Sequence, residues 1–437
     1  MNTHRLAVMA AAVVVALGAG LAAAQQPLWI GFGPNPDLPK PVHYLIPTLK
    51  IAPALGWKDG ALPVAAAGLT VAAFAQGLDH PRWIYVLPNG DVLVAETNGP
   101  GFEKPKGIRD YIMGLVMKQA GAAAPSAQRI TLLRDADGDG VAETRTIFAQ
   151  NLTSPFGMAL VDGELYIADT DALLHAPYQS GETVLASPLA KLTDLPGGPI
   201  DHHWTKNVIA SRDGTKLFVT VGSNSNVGEN GMAAEAERAA IWEVDRRSGA
   251  HRLFASGLRN PNGMGWEPVS GKLWTVVNER DELGDNLVPD YLTSVTDGGF
   301  YGWPYSYYGA NVDKRVSPRR LDLVRTALVP DYALGSHTAS LGLTFYEGSL
   351  LPAAYRGGAF IGQHGSWNRS RLNGYQVIFV PFSGGKPNGG PQVVLSGFVD
   401  ADGHAQGRPV GVAVDRAGAL LVADDVGGVI WRVTPSR

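Results

Sequence analysis

One pattern recurs six times along this chain: an apolar segment, a turn that contains glycine, and a short β-rich run that ends near an acid or an amide. The turns of the clearest copies are Asn89-Gly90, Asp162-Gly163, Asp213-Gly214 and Ser270-Gly271. Turns of this composition between β-rich runs mark hairpins. The chain is therefore expected to consist mainly of short antiparallel strands.

The copies begin near residues 83, 157, 208, 263, 343 and 410, which is a spacing of roughly 50–90 residues. Such spacing favours radial repetition, in which each repeat supplies one sheet of a β-propeller. We predict an all-β fold, a six-bladed β-propeller with loop insertions. The alternatives are an irregular β-sandwich and two separate β domains. In a propeller, loops that are distant in sequence converge at the central axis and can share one site.

The first residues have the features of a secretory signal. Arg5 precedes an apolar run from Leu6 to about Ala24, and small residues before Gln25 fit signal-peptidase cleavage. The alternative is a membrane anchor, but the run is short and its alanine and glycine content makes it weakly hydrophobic. We predict a signal peptide at 1–24, a proline- and alanine-rich strap at 25–70 that could supply a closing strand, and the propeller at 71–437. The mature protein would then be periplasmic or secreted, without stable membrane insertion.

Composition excludes several classes of function. The chain has no cysteine, which excludes disulfides, thiolate zinc sites and a covalently attached c-type haem. Its net charge is -4, so it lacks the basic surface that nucleic acid binding requires. Glycine and proline are abundant, at 54 and 30 residues, which favours many turns and few long helices.

Three motifs follow one another between Gly257 and Pro304. The first is an Arg-Asn turn, Gly257–Gly263; the second is an oxygen-rich loop, Asn278–Asn286; the third is a Gly-aromatic corner, Gly298–Pro304. This order resembles the soluble quinoprotein sugar dehydrogenases of the glucose/sorbosone dehydrogenase family, and within it the L-sorbosone dehydrogenase-like and aldose sugar dehydrogenase-like proteins. The resemblance covers about residues 70–435.

The resemblance implies that the cofactor is pyrroloquinoline quinone (PQQ), a planar tricarboxylate. Arginine binds carboxylates through its forked guanidinium group, so the implied holders are cations, amides and rings. They are Arg259, Asn260, Arg408, Arg369, Lys206, Trp367 and His364. One departure weakens this set, because Val410 stands where the family has a further arginine.

The catalytic base is expected in Asp201–Asn207, since a family histidine at the matching place removes the substrate hydroxyl proton. Two registers are open. Counting back from Asp213-Gly214 favours His203 as the base with His202 in the place of the family's acid. A shift of one residue instead makes Asp201 and His202 the acid–base pair.

The resemblance also implies a Ca²⁺ ion beside the quinone, held by two successive main-chain carbonyls at Arg280 and Asp281. The family usually has Gly-Pro there, and this chain does not. The side chains of Asp281 and Asp285 are further oxygen donors of the kind that Ca²⁺ prefers. A separate acidic loop, Asp135–Glu143, resembles half of a calcium loop but has Thr146 where the final Glu belongs. A structural Ca²⁺ site and a plain acidic turn both remain open for it.

These features predict an exported PQQ-dependent dehydrogenase that oxidises aldoses or sorbosone-like sugar aldehydes. Its partners would be a small-molecule sugar and an external electron acceptor, a cytochrome or a quinone. Two alternatives stand beside this prediction. One is a calcium-dependent propeller lactonase or hydrolase, which would not need the arginines. The other is a non-catalytic sugar-binding propeller, supported by the missing arginine at Val410.

Overall fold

The computed structural model describes residues 31–44, 48–100, 114, 118–122 and 124–436 of the 437-residue chain. The predicted signal peptide at 1–24 lies outside the described residues. The helices with fully described bounds are short: α1 (Leu321–Val324) and two 3₁₀ turns, Met232–Glu235 and Ala353–Tyr355. Strands dominate the rest, so the prediction of an all-β fold is confirmed.

The strands form six sheets of four or five strands, which are the blades of a propeller. Three strands precede the first blade: β1 (Phe32–Gly33), β2 (Val64–Ala65) and β3 (Leu69–Ala75). Blade 1 comprises β4 (Pro81–Val86), β5 (Val92–Glu96), β6 (Arg129–Arg134) and β7 (Thr144–Gln150). Blade 2 comprises β8 (Met158–Val161), β9 (Glu164–Ala168), β10 (Ala172–Pro177) and β11 (Ala190–Asp194).

Blade 3 comprises β12 (Val208–Ala210), β13 (Lys216–Val221), β14 (Ala240–Asp245) and β15 (His251–Ser256). Blade 4 begins with β16 (Pro261–Trp266), β17 (Leu273–Val277) and β18 (Pro289–Ser294). An excursion then carries β19 (Gly299–Phe300), β20 (Ser306–Tyr307) and β21 (Asn311–Val312) before β22 (Tyr332–Ser336) completes the blade. β19 pairs in parallel with β15, which ties the excursion back to blade 3.

Blade 5 comprises β23 (Ser340–Phe345), β24 (Ala359–Gln363), β25 (Gln376–Val380) and β28 (Gln392–Ser396). A small hairpin, β26 (Phe382–Ser383) and β27 (Lys386–Pro387), projects from it. Blade 6 comprises β29 (Pro409–Val414), β30 (Leu420–Asp424) and β31 (Val429–Pro435). The six repeats of the sequence are the first two strands of the six blades, which confirms the predicted six-bladed propeller.

The segment before the first blade supplies a strand to each of three blades. β3 pairs antiparallel with β31, from Leu69 opposite Pro435, and so completes blade 6 with an N-terminal strand. β1 and β2 add outer strands to blades 4 and 5. The predicted boundary at residue 70 thus cuts through β3, and the strap contributes to the sheets as well as leading into them.

The blades hold together through the burial of their second strands on both faces. All five residues of β5, β17, β24 and β30 are buried, because each of these strands is covered by the neighbouring blade on either side. Trp83 of blade 1 and Phe156 before blade 2 illustrate the contact, with ring centroids 4.7 Å apart. Burial of one large apolar side chain contributes about 1.5–3 kcal/mol, so such interfaces dominate stability.

The first strands pack against each other around the axis, and β29 meets β4 to close the ring. Glycines allow this approach. A Cβ at Gly342 would lie 2.1 Å from the carbonyl oxygen of Val410, and a Cβ at Gly411 would lie 2.8 Å from that of Arg82. Both distances are too short for any side chain. The strand ends of neighbouring blades therefore lie close enough to build one shared site.

Candidate active site

The antiparallel order of the blades brings most of the predicted site residues to one end of the axis. In each blade the first strand begins at the end where the second strand finishes, because a hairpin joins them. His203, Arg259 and Arg408 precede first strands, whereas Asp281 and His364 follow second strands. We call this end of the axis the site end.

His203 is held in one orientation by the loop that follows β13. Its Nδ1 is 2.7 Å from the carbonyl oxygen of Ser223, and since a carbonyl only accepts, Nδ1 carries the proton of the neutral ring. No described residue hydrogen-bonds to Nε2. Burial, and next the charge of Arg259, lowers the pKa of His203 well below its usual value. The ring is therefore neutral near pH 7, and Nε2 can accept a proton.

The neighbours of His203 have different surroundings. His202 is exposed. The Asp201 carboxylate lies 3.3 Å from Arg238 Nη1 and 3.9 Å from Lys206 Nζ, so it balances two buried cations. Lys206 is fully buried, donates to the carbonyl of Trp204 at 3.1 Å, and has its pKa lowered to about 8 by burial. Asp201 and Lys206 thus form an internal pair beside the base.

Arg259 is buried, and protein oxygens take up nearly all of its donors. Nε donates to the carbonyl of Asn226 at 3.3 Å, and Nη1 donates to the carbonyls of Asn278 at 3.3 Å and Glu279 at 2.8 Å. Nη2 donates to Asn226 Oδ1 at 3.0 Å and is 3.6 Å from Asp281 Oδ2. A guanidinium has five N–H groups, so little capacity remains for a ligand. Arg259 acts here as a fixed positive charge.

Asn260 lies next to the base and carries an unsatisfied oxygen. A Cβ added at Gly222 would be 2.5 Å from both Asn260 Oδ1 and His203 Cβ, so the two side chains flank the same glycine. Asn260 is buried, and its Oδ1 has no hydrogen-bond partner. A buried amide without a partner is costly. This amide is therefore available to a bound molecule.

Arg280 points away from the axis into the excursion of blade 4. Its side chain is fully buried, with Nε 3.0 Å from Glu279 Oε2 and Nη1 3.2 Å from Asp313 Oδ2. It also donates to the carbonyls of Pro304 at 2.9 Å and Ser306 at 2.7 Å. The corner that the sequence singled out is thus anchored by Arg280. Among the described residues, no donor reaches the carbonyl oxygen of Arg280.

Asp281 is surrounded by positive groups. Its Oδ1 is 3.0 Å from His337 Nδ1, while His337 Nε2 is 3.0 Å from the carbonyl of Gly284. Both ring nitrogens therefore face acceptors, and although burial opposes it, the hydrogen bond to Asp281 raises the pKa of His337. The carbonyl of Asp281 accepts from Arg315 at 2.9 Å and from Asn226 at 3.2 Å. Both kinds of oxygen on Asp281 already have donors.

The loop of blade 5 is tied to the loop of blade 4. Arg369 donates to Asn286 Oδ1 at 2.9 Å and to the carbonyl of Ser336 at 3.3 Å, and its Nε has no partner. Asp285 accepts from the backbone and hydroxyl of Ser370. The carbonyl of Trp367 accepts from the backbone of residue 50 in the strap at 3.0 Å. Asp285 therefore acts as a tether between loops.

Arg408 has donors to spare. It is buried, its guanidinium lies 5.0 Å from the ring centroid of Tyr375, and Nη2 donates to the carbonyl of Ala52 at 3.1 Å. Its Nε has no partner. Val410, two residues on, is completely buried in the core between blades. The position of the missing family arginine is thus a packing position here.

Arg82 supplies a second cation beside Arg408, and the sequence analysis missed it. It lies on β4, the first strand next to β29 around the axis, and its charge acts on that of Arg408. Nη1 donates to Asp425 Oδ2 at 2.8 Å, Nε has no partner, and the guanidinium lies 5.6 Å from the ring centroid of Trp204. The repeat pattern could have indicated Arg82. This residue comes just before the first copy of the pattern, as Arg408 comes just before the last.

Asp425 joins these groups to blade 5. Its Oδ2 is 2.8 Å from His364 Nε2, and its Oδ1 is buried without a partner. Burial lowers the pKa of His364 to about 4, so this ring is neutral. A cleft of about 570 Å³ opens beside Asp425 between blades 6 and 1, with His80 on its wall.

The acidic loop at 135–143 lies at the opposite end of blade 1, in the turn between β6 and β7. The oxygens of Asp135, Asp137, Asp139 and Glu143 lie within 4.8 Å of one another. Several of them accept N–H groups of the same loop, such as Gly138 at 2.7 Å from Asp135 Oδ1. A structural ion and a plain turn both remain open, and the position separates this loop from the site end.

Comparison with known proteins bears on this arrangement. Residues 168–376 match the family model described as glucose / sorbosone dehydrogenase, and residues 324–436 match one described as TrAA12-like. An uncharacterised protein of Borreliella burgdorferi is 28% identical over 367 residues, which is 79% of this chain and 90% of that protein. The aldose sugar dehydrogenase YliI of Escherichia coli is 27% identical over 193 residues, 44% of this chain and 46% of the relative.

Among solved structures, the holo form of the PQQ domain of pyranose dehydrogenase from Coprinopsis cinerea superposes with a TM-score of 0.68 at 19% identity. The match covers 88% of this chain and 100% of that one, and it supports the propeller fold. Within the described part of the chain, no helix combines the length and hydropathy needed to cross a membrane. The resemblance to the glucose/sorbosone dehydrogenase family is confirmed, with the family match lying over residues 168–376.

Proposed function

We propose that this protein is a PQQ-dependent dehydrogenase that oxidises aldoses or sorbosone-like sugar aldehydes, with His203 as the base. One observation carries the proposal. A neutral histidine with a free Nε2 lies at the same end of the axis as two arginines, Arg82 and Arg408, whose buried Nε–H groups have no partner among the described residues. A base next to unsatisfied cationic donors is suited to a hydroxylated substrate and an anionic cofactor.

The cationic side of the site suits a planar tricarboxylate. The unpartnered donors belong to Arg82 and Arg408, with a further one on Arg369. Guanidinium–carboxylate hydrogen bonds are among the strongest in proteins, and a buried unpaired donor costs about 1–3 kcal/mol until a ligand satisfies it. Arg82 compensates for Val410, which removes the main support for a non-catalytic propeller.

The neutral state of His203 suits it to proton removal. Oxidation of a sugar hydroxyl to a carbonyl removes a proton from oxygen and a hydride from carbon. PQQ, when bound, supplies an ortho-quinone that accepts the hydride. His203 Nε2 takes the proton, while the Ser223 carbonyl holds Nδ1–H and steadies the resulting imidazolium. Asn260, against the same glycine as His203, offers its amide to the reacting groups.

Arg259 contributes through its charge. It is held by four hydrogen bonds to protein oxygens, so it cannot rotate away from the base. Together with burial, which is the larger cause, its charge lowers the pKa of His203, and it would favour the negative charge that develops on the substrate oxygen as the proton leaves. His202 and Asp201 have no part in this step, since His202 is exposed and Asp201 is paired with Arg238.

The loop at 278–286 fits a Ca²⁺ ion poorly as it stands. The carbonyl of Asp281 already accepts from Arg315 and Asn226, and its carboxylate faces His337 and Arg259. A divalent cation would be repelled by the positive groups around it. Of the two successive carbonyls, that of Arg280 accepts from no described residue and that of Asp281 is occupied, so we assign no step to Ca²⁺.

The remaining parts of the proposal concern the context of the enzyme. Residues 1–24 would direct export and be removed, and residues 25–70 would form the strap. Electrons would pass to an external cytochrome or quinone. The lactonase is the weaker candidate, since the carboxylates of Glu96 and Asp424 at this end are occupied by donors from the protein.

The test is reconstitution of the purified mature chain with PQQ. Binding is followed by absorbance, and turnover by dye reduction with a panel of aldoses and sorbosone, in parallel samples with Ca²⁺ and with EGTA. We expect saturable PQQ binding and sugar-dependent dye reduction. Absence of PQQ binding under both conditions would overturn the proposal. If dye reduction required Ca²⁺, the conclusion that the loop at 278–286 does not hold the ion would be wrong.

A further inference from the structure

The strap before the first blade crosses the site end and contacts loops of several blades. The backbone of Val42 donates to the carbonyl of Leu283 in blade 4 at 3.0 Å. Asn368 in blade 5 donates to the carbonyl of Thr48 at 3.1 Å. The backbone of residue 55 donates to that of residue 405, ahead of blade 6, at 2.9 Å. The strap therefore lies over the loops that carry the site.

Two strap residues act on Arg408 from different directions. The carbonyl of Ala52 accepts from Arg408 Nη2 at 3.1 Å, and the Arg408 guanidinium lies 5.0 Å from the ring centroid of Tyr375. The indole Nε1 of Trp57 donates to Asp424 Oδ2 at 2.6 Å, and Asp424 Oδ1 accepts from the backbone N–H of Arg408 at 2.7 Å. One strap contact reaches the side chain of Arg408, and the other reaches its backbone through Asp424.

Asp424 is fully buried and saturated by four donors. Its Oδ1 also accepts from the backbone of Gly427 at 2.8 Å, and its Oδ2 also accepts from Trp431 Nε1 at 3.0 Å. Two carboxylate oxygens offer about four acceptor positions, so no donor can be lost without leaving a gap. Gly427 lies in the turn that begins with Asp425, the partner of Arg82. Asp424 thus connects Trp57 to both cations.

The indole of Trp57 is itself held in place. It makes edge-to-face contacts with Phe398 at 5.5 Å and with Trp431 at 5.3 Å between ring centroids. A side chain at Gly427 would collide with it, at 2.6 Å. The ring packs between the strap and the turn at 425–428. This packing directs its N–H to the Asp424 carboxylate.

We infer that Trp57 is a positioning residue of the cofactor site: it fixes Asp424, and through Asp424 it fixes the arginine that receives a carboxylate of the cofactor. This inference rests on the proposed function for the identity of the ligand. The strap is then part of the site and not only a covering segment. Loss of the indole N–H weakens PQQ binding without touching the ligand directly.

The test uses Trp57→Phe, which keeps an aromatic ring and removes the N–H. The matched control is Trp266→Phe, because Trp266 donates its indole N–H to the carbonyl of Ala210 at 2.7 Å, away from the site end. We expect the PQQ dissociation constant to rise about tenfold in Trp57→Phe, the size of one hydrogen bond to a charged group. The control is expected to keep wild-type affinity with a comparable fall in Tm.

A double-mutant cycle separates positioning from general loosening. If Trp57 acts through Arg408, Trp57→Phe causes no further loss of PQQ affinity when Arg408→Ala is already present. Equal losses in both backgrounds, or an affinity of Trp57→Phe within twofold of wild type, would overturn the inference.

A second measurement needs no cofactor. Phenylglyoxal modifies arginine, and the rate at Arg408 can be followed by peptide mass spectrometry in the apo protein. We expect Trp57→Phe to raise this rate several-fold and Trp266→Phe to leave it unchanged; an unchanged rate in Trp57→Phe contradicts the inference. If wild type does not bind PQQ but the rate responds as expected, the proposed function fails while the positioning role stands.

Discussion

The arginines on the two sides of the site differ in how far protein acceptors occupy their N–H donors. On blades 3 and 4, Arg259 and Arg280 are surrounded by carbonyls and carboxylates of the protein, and hydrogen bonds occupy their donors. On blades 6 and 1, Arg408 is buried and the side chain of Arg82 is only 13% exposed, yet the Nε of each lacks a partner among the described residues. A guanidinium in the first setting stabilises the fold and sets the local charge. One in the second setting is prepared for a ligand.

This difference shows that the sequence motif around an arginine does not tell whether the side chain stabilises the fold or is available to a ligand. Both Arg259 and Arg408 precede a first strand and follow a glycine by one or two positions. Their surroundings separate them, because Asn226 and the carbonyls after β17 accept from Arg259, whereas Arg408 donates from Nη2 to the carbonyl of Ala52 and its Nε has no partner among the described residues. The experiments below test that separation.

The largest effect is expected at the base, which lies between the two sides. His203→Ala should lower turnover about 10³-fold, since a positioned general base contributes 10²–10⁴-fold, and should leave PQQ affinity nearly unchanged. The measurement is steady-state dye reduction at saturating PQQ. His202→Ala is the control and should retain wild-type turnover; the reverse result would select the register in which His202 is the base.

On blades 3 and 4, where the arginine donors are occupied, a substitution should mainly lower the stability of the fold. Arg280→Met leaves the buried carboxylate of Glu279 without its cation, which typically costs 3–5 kcal/mol, whereas Asp313 keeps its pair with Arg315. We expect a lower free energy of unfolding in urea denaturation, with PQQ affinity little changed in the protein that remains folded. A loss of PQQ binding in fully folded Arg280→Met would remove the distinction between the two sides.

On blades 6 and 1, where each arginine has an unpartnered Nε, a substitution should mainly weaken the binding of PQQ. Arg408→Ala and Arg82→Ala should each raise the PQQ dissociation constant about 10–100-fold, because a hydrogen bond to a charged group is worth about 1.5–3 kcal/mol. The unfolding free energy should change less than in Arg280→Met. Isothermal titration with PQQ and urea denaturation of the same samples decide the question, and wild-type affinity in both variants would contradict the assignment.

The smallest effect is expected in the pH profile. Because burial and the charge of Arg259 hold the pKa of His203 below its usual value, the base stays neutral until the pH falls below that lowered pKa. Arg259→Gln removes the cation, so the pKa rises and the acid limb of kcat/KM moves to higher pH. Arg315→Gln is the control, since Arg315 belongs to the same network but is not among the groups that shift His203. Identical acid limbs in wild type and Arg259→Gln would contradict the role of Arg259.

Sequence reasoning identified much of the frame and part of the site. The six copies of the repeat correspond to the first two strands of the six blades. They could be recognised from the sequence because turn composition and β-rich runs are local properties. The family resemblance grouped His203, Arg259 and Arg408, and the regular order of the blades places them at one end of the axis. The contact that favours His203 over His202 in the proposal is the Ser223 carbonyl, which lies 20 positions away and could not be read from the sequence.

Two groups escaped the sequence analysis. Arg82 lies in an ordinary strand and becomes a candidate only because β4 closes the ring against β29. Asn226 matters through its contact with Arg259, which joins the loops of two blades. Conversely, Val410 predicted a gap in the cationic set, and in the proposed site Arg82 of the neighbouring blade supplies the further cation.

What the sequence by itself determined about this protein is the all-β repeat, the family resemblance and the kinds of residue at the site. Those properties follow from local turn preference, strand patterning and motif order. Only the tertiary structure decided which arginines have unsatisfied donors, which histidine is neutral with a free Nε2, and that the strap reaches the site. Hydrogen-bond saturation and burial depend on partners from other blades, and closure of the ring brings those partners together.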